Sequence, residues 1–105
     1  LNYLVVLNSP LSKRWMIMNR LKFCVANWKM NLTPTEGVNF ISTLVSKNIM
    51  VDETRIILCP AYTGLVSAVD AAAKSRIEIG AQNLFYESAG AFTGEVSTAM
   101  LKDAG

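Results

Sequence analysis

Histidine is absent from all 105 residues. It is the side chain whose unperturbed pKa lies nearest neutrality, and the commonest general acid and base. Any enzymatic reading of this chain must therefore place that chemistry elsewhere. With no histidine and only two cysteines, no Cys/His spacing for a metal centre exists. Cys24 and Cys59 fall inside strand-like runs and are expected as buried free thiols in a reducing compartment, not as a disulfide. No apolar run approaches the roughly 20 residues that a membrane span needs. A net charge of +2 is too slight an excess to imply nucleic acid. The strand–GxxxxGKS/T–helix phosphate loop is missing too, since Gly94–Ser97 reads Gly-Glu-Val-Ser. Ser9, Ser12 and Ser67 have no base beside them, so a nucleophilic serine has no support.

What is present is a chain of 51% hydrophobic and 17% charged residues, which describes one small globular domain with enough to bury. It opens on Leu1, consistent with a fragment, a processed form or an unusual start, and Met18 is a plausible natural start. Residues 1–20 read as an N-terminal extension expected to be poorly ordered. The run Leu4–Leu7 stops at Asn8-Ser9-Pro10, and Lys13, Arg14, Arg20 and Lys22 follow with no acid before Glu36. A secretory signal carries its positive charge ahead of its apolar core, and here the order is reversed. Pro10 interrupts the amphipathic helix that an organelle-transit segment would need.

From residue 21 to residue 105 strands and helices alternate. Phe23–Ala26 is a short unbroken run suited to a strand covered on both faces. Thr33-Pro34-Thr35-Glu36 is a capping box with proline at the first helical position, where its missing N–H costs nothing. Val38, Ile41, Leu44 and Val45 then recur at helical spacing, and Lys47 and Asn48 suit the helix end. A second strand is expected over Arg55–Cys59, ended by Pro60. A second helix is expected to be capped by Thr63, with Leu65, Val66, Val69 and Ala73 on its apolar face and Asp70 and Lys74 on the wet side. A third strand is expected over Arg76–Ala81, and a last helix over Thr98–Ala104 capped by Ser97. Strands alternating with helices imply a parallel sheet. Gln82–Val96 has no period of either kind. Loops of that length inside a compact domain are usually functional. Its aromatics Phe85, Tyr86 and Phe92 admit two readings, a partner surface or a loop folded back on itself.

Ligands of parallel α/β folds sit at the carboxyl ends of strands. Asn27 and Lys29 follow the first strand at once. If extended geometry persisted through them, both would face one side, an amide donor beside an ammonium that could meet a phosphate or a developing oxyanion, with Trp28 turned into packing. The plain alternative is a turn asparagine and a solvated lysine. Glu36 is engaged by the cap. Glu78, Glu87 and Glu95 are read as surface or paired groups.

Ala26-Asn27-Trp28-Lys29-Met30-Asn31, Leu58-Cys59-Pro60, Ile79-Gly80-Ala81-Gln82-Asn83 and Ser88–Ser97 together resemble the first three strand exits and the long interface loop of the triosephosphate isomerase family, in order and with matching spacing over about residues 21–105. The resemblance implies the first three strands of a (β/α)8 barrel. It implies a cofactor-free, metal-free isomerase interconverting dihydroxyacetone phosphate and glyceraldehyde 3-phosphate in glycolysis and gluconeogenesis, working as a cytoplasmic homodimer. By the same resemblance Lys29 would be the active-site lysine, and Asn27 and Trp28 would join it in the substrate-binding set. Met30, Asn31, Gln82, Phe92, Thr93, Gly94 and Glu95 would lie at the dimer contact. The family itself is a standard illustration of tuned acid–base groups, using a glutamate base and a neutral histidine. The resemblance puts both beyond Gly105, so this chain alone should not catalyse the reaction. Its alternative role is a non-catalytic element offering only a dimer contact.

Overall fold

The computed structural model describes residues 2–6, 15–19, 21–48 and 54–105. The first two strands, β1 (Asn2–Val6) and β2 (Trp15–Asn19), pair antiparallel with Asn2 opposite Asn19 and Val6 opposite Trp15. They lie in the segment read from the sequence as a poorly ordered extension. Leu4-Val5-Val6 and Trp15-Met16-Ile17 supply the β-branched and bulky residues that favour extended backbone. This pair is a sheet of its own. The Asn8-Ser9-Pro10 stop and the basic residues Lys13, Arg14 and Arg20 lie outside the described residues.

A second sheet of three parallel strands follows in the order β3 (Lys22–Asn27), β4 (Thr54–Cys59), β5 (Ile77–Ile79). Lys22 lies opposite Thr54, and Leu58 opposite Ile79. The connections are helices α1 (Pro34–Ser46) and α2 (Leu65–Ala72), as parallel pairing requires. Helix α3 (Thr98–Asp103) closes the described chain, capped by Ser97 whose Oγ accepts from the Met100 amide at 3.4 Å.

The capping box of α1 is complete. Glu36 accepts from the Thr33 amide at 2.7 Å and from its hydroxyl at 2.9 Å, while Thr33 Oγ1 accepts from the Glu36 amide at 3.4 Å. Asn48 ends the helix in the left-handed region at φ 46°, its amide bonded to the Val45 carbonyl, a common way to satisfy a helix's last carbonyls.

The core lies between the helices and one face of this sheet. Ile41 of α1, Leu58 of β4 and Ala68 and Ala72 of α2 are buried, with Ala26, Trp28, Leu44, Val45, Ile56, Ile77 and Ile79 packed around them. Burying Ile41 completely stabilises the fold by about 2 kcal/mol. The other face alternates with it and carries Phe23, Val25, Arg55, Ile57 and Glu78. There Arg55 Nε donates to Glu78 Oε1 at 2.6 Å, Nη2 donates to the second carboxylate oxygen, and the guanidinium lies 5.3 Å from the Phe23 ring centre.

Several expectations are corrected. Phe23 and Val25 are 52% and 58% exposed, because β3 is an edge strand and only one of its faces meets a helix. Cys24, on the opposite face of the same edge strand, is exposed too, whereas Cys59, in the central strand, is buried. Thr63 caps nothing. One 3-10 turn, Tyr62–Gly64, precedes α2, so Gly64 takes the cap position. The buried stripe of α2 is consequently Leu65, Ala68 and Ala72, which leaves Val66 and Ala73 exposed. β5 is three residues long, although Gly80 continues the ladder with its amide on the Leu58 carbonyl.

Candidate functional site

Parallel pairing brings the carboxyl ends of β3, β4 and β5 to one edge of the sheet. Asn27, Cys59-Pro60 and Gly80–Gln82 meet there. The Trp28 amide still bonds the Cys59 carbonyl at 3.1 Å, so the ladder persists one step past β3. It then breaks. Lys29 adopts φ 55° and Leu32 φ 64°, both in the left-handed region that side-chain-bearing residues enter at a cost of about 1 kcal/mol or more. Extended geometry therefore does not carry through Lys29, and the alternation that would align it with Asn27 is lost.

Side chains hold the elbow in this shape. Asn27 Oδ1 accepts from the Lys29 amide at 2.8 Å, a local turn that mimics backbone hydrogen bonding. Because the oxygen is engaged, the Asn27 NH2 is the half of the amide left to donate outward. Asn31 Nδ2 donates to the Trp28 carbonyl at 2.8 Å. Gln82 arrives from beyond the end of β5 and donates through Nε2 to the Lys29 carbonyl at 2.9 Å and to the Cys59 carbonyl at 2.8 Å. Both main-chain polar groups of Lys29 are thus held by side-chain amides, while the side chain is exposed.

Trp28 packs away from this edge. Its ring meets Phe40 edge-on at 5.6 Å between centres and lies against Gly37, where an added β-carbon would come within 2.8 Å. The elbow is thereby anchored to α1. Trp28 sits where packing was expected. Met30 is 96% exposed beside it.

Phe92, Thr93, Gly94 and Glu95 form a separate tip. Among the described residues no hydrogen bond joins them to the elbow. The Glu95 amide closes a turn on the Phe92 carbonyl at 3.1 Å, with Gly94 at φ 87°. The loop folds back on itself, Phe85 stacking on Phe92 at 4.7 Å and on Tyr86 at 4.6 Å, and its base is tied by the Phe85 amide to the Val96 carbonyl. The folded-back reading of the loop describes this packing, and Tyr86 remains 81% exposed.

Gln82, which the resemblance assigns to the dimer contact, donates to the chain's own backbone. The available signal was its position, an amide directly after a strand. Glu78 was read as a surface or paired group, but its partner Arg55 and the Phe23 ring beside that guanidinium were not foreseen. Arg55 holds the Glu78 carboxyl below the usual range, chiefly by hydrogen bonding, and the Thr33 main-chain amide does the same for Glu36. Among the described residues no three His, Cys, Asp or Glu side chains gather as a metal site, and no helix is long and apolar enough to cross a membrane. A cleft of roughly 660 Å3 opens beside β5 between Leu65, Val69, Ile79 and Leu101, but Lys29 is not part of it.

Three parallel strands joined by helices, with the strand exits gathered at one edge, are the β/α units from which (β/α)8 barrels are built. The triosephosphate isomerase family model matches residues 22–105. Triosephosphate isomerase of Endomicrobium trichonymphae is 45% identical over 86 residues, covering 82% of this chain and 34% of that protein. The protein of the same name from Dictyoglomus thermophilum is 42% identical over 84 residues, covering 80% and 34%. The crystal structure of triosephosphate isomerase from Bartonella henselae superposes with a TM-score of 0.69 at 30% identity, over 80% of this chain and 34% of that one. The chain belongs to the triosephosphate isomerase family, and it spans about a third of the length of the curated relatives it matches.

Proposed function

We propose that residues 22–105 form the substrate-binding and charge-stabilising part of a triosephosphate isomerase. The reaction interconverts dihydroxyacetone phosphate and glyceraldehyde 3-phosphate, in glycolysis and gluconeogenesis, in the cytoplasm, without a cofactor. The observation that carries the reading is the clamped elbow, which fixes the Lys29 backbone at the sheet edge where a ligand would lie and, among the described residues, leaves its ammonium without an ion-pair partner. There Lys29 offsets charge on a phosphate or enediolate oxygen. At 4 Å and an effective dielectric of 20 such a pair is worth on the order of 4 kcal/mol. The Asn27 NH2 donates to a substrate oxygen. Proton transfer falls to groups outside these 105 residues, which hold no histidine.

The protein acts as a homodimer. Met30, Tyr86 and the Phe92–Glu95 tip offer exposed apolar and aromatic surface to the second copy. The same exposure supports the second reading, a chain serving only as a contact element. The two readings part in a chimera in which residues 22–105 replace the matching segment of the 45%-identical relative. The isomerase reading expects turnover that falls more than a hundredfold on Lys29→Ala, the scale of losing one transition-state charge contact. A folded chimera whose rate ignores Lys29 would leave only the contact role.

A further inference from the structure

We infer that Gln82 is a positioning residue for Lys29, acting through the main chain and without touching substrate. The inference rests on the isomerase reading above, but its structural part stands on the geometry alone. Gln82 Nε2 carries two protons, and two carbonyls receive them, Lys29 O at 2.9 Å and Cys59 O at 2.8 Å. Among the described residues no other side chain is hydrogen-bonded across all three strand exits, since Cys59 closes β4, Lys29 follows β3 and Gln82 follows β5. Lys29 needs such a hold because it lies at φ 55° without being glycine. A left-handed residue with a side chain persists only where its surroundings over-determine it. Asn27 fixes the Lys29 amide from within the same turn. Gln82 fixes the carbonyl from across the sheet, 53 residues away. Releasing that carbonyl lets the Lys29 peptide relax toward the extended region, and the ammonium swings off the edge that the strand exits define.

The chemistry of the clamp selects the test. Gln82→Glu keeps the shape of the side chain but removes both donors and sets an acceptor against two carbonyls. Gln82→Ala removes the side chain outright. In the isotope-labelled 105-residue chain, the strong intraresidue amide–α-proton NOE of Lys29 reports positive φ. Both variants are expected to lose it while the amide signals of α1 and α2 keep their positions. If Gln82→Ala fails to fold, the near-isosteric Gln82→Glu decides alone. Lys29 keeping its left-handed signature in the folded variant overturns the inference and leaves the isomerase reading untouched. In the chimera the same substitutions are expected to lower kcat about tenfold to a hundredfold with KM within about twofold, the mark of a misplaced group that acts in the transition state. A displaced Lys29 with undiminished kcat would instead count against the catalytic role given to Lys29. The two failures are therefore distinguishable.

Discussion

Gly37→Ala tests whether the elbow is mechanically coupled to α1. Gly37 lies inside the helix, where glycine is about 1 kcal/mol worse than alanine, so helix propensity alone expects stabilisation by that amount. Packing argues the other way. The added β-carbon would meet Trp28 Cζ3 at 2.8 Å, some 0.7 Å inside an ordinary carbon contact of about 3.5 Å. The ring cannot simply retreat, because Phe40 stands against it at 5.6 Å between centres. Overpacking of this kind costs about 1–3 kcal/mol. The cost exceeds the gain, and a net loss of about 1 kcal/mol is expected, or about 4–8 °C in Tm for a chain of this size. Urea denaturation followed by circular dichroism measures it. Trp28→Phe removes the offending ring atoms, so in that background Gly37→Ala should stabilise, giving a coupling of about 2 kcal/mol across the double-mutant cycle. Ser42→Ala, on the exposed side of α1, serves as the propensity control. Gly37→Ala stabilising the chain with Trp28 in place would refute the coupling.

Three further outcomes follow from the same contacts. Thr33→Ala removes the side-chain half of the capping box and should cost about 1 kcal/mol, with faster amide hydrogen exchange confined to the first turn of α1. Glu36 and Glu78 are both more acidic in the folded chain than unfolded, so their stabilisation is present above the unfolded carboxylate pKa and is lost as pH falls through the folded values. Urea midpoints from pH 7 down to pH 3 should therefore fall less steeply in Glu36→Gln and in Glu78→Gln, and an unchanged acid limb would contradict the hydrogen bonds assigned to them. Ile41→Ala, at the one fully buried large side chain among the described residues, should cost about 2–5 kcal/mol in the same assay.

What could be read from the sequence was what depends on near neighbours. Thr33, Pro34 and Glu36 lie within four residues, and their cap forms as expected. Val38, Ile41, Leu44 and Val45 make one stripe because α1 is regular. The order of strands and helices, and the parallel sheet, follow from their alternation along the chain. What failed depended on the surroundings. Phe23, Val25 and Cys24 read as buried by type, but whether an edge strand is covered depends on what lies beside it. Thr63 lost the cap to a 3-10 turn that no residue pattern distinguishes from the first turn of the helix. Lys29 and Leu32 sit left-handed without the glycine that would announce it. The hold on Lys29 comes from Gln82, 53 residues away, a distance no local spacing can encode.

The central claim is that these residues hold the charge-stabilising part of an isomerase site and that the proton-transfer part comes from elsewhere. The most direct measurement is the interconversion of dihydroxyacetone phosphate and glyceraldehyde 3-phosphate by the purified 105-residue chain, with Lys29→Ala beside it. The account predicts no conversion above the uncatalysed rate for either chain, since the 105 residues contain no histidine to polarise the carbonyl and no assigned carboxylate base. Turnover by the unaltered chain that disappears in Lys29→Ala would contradict it.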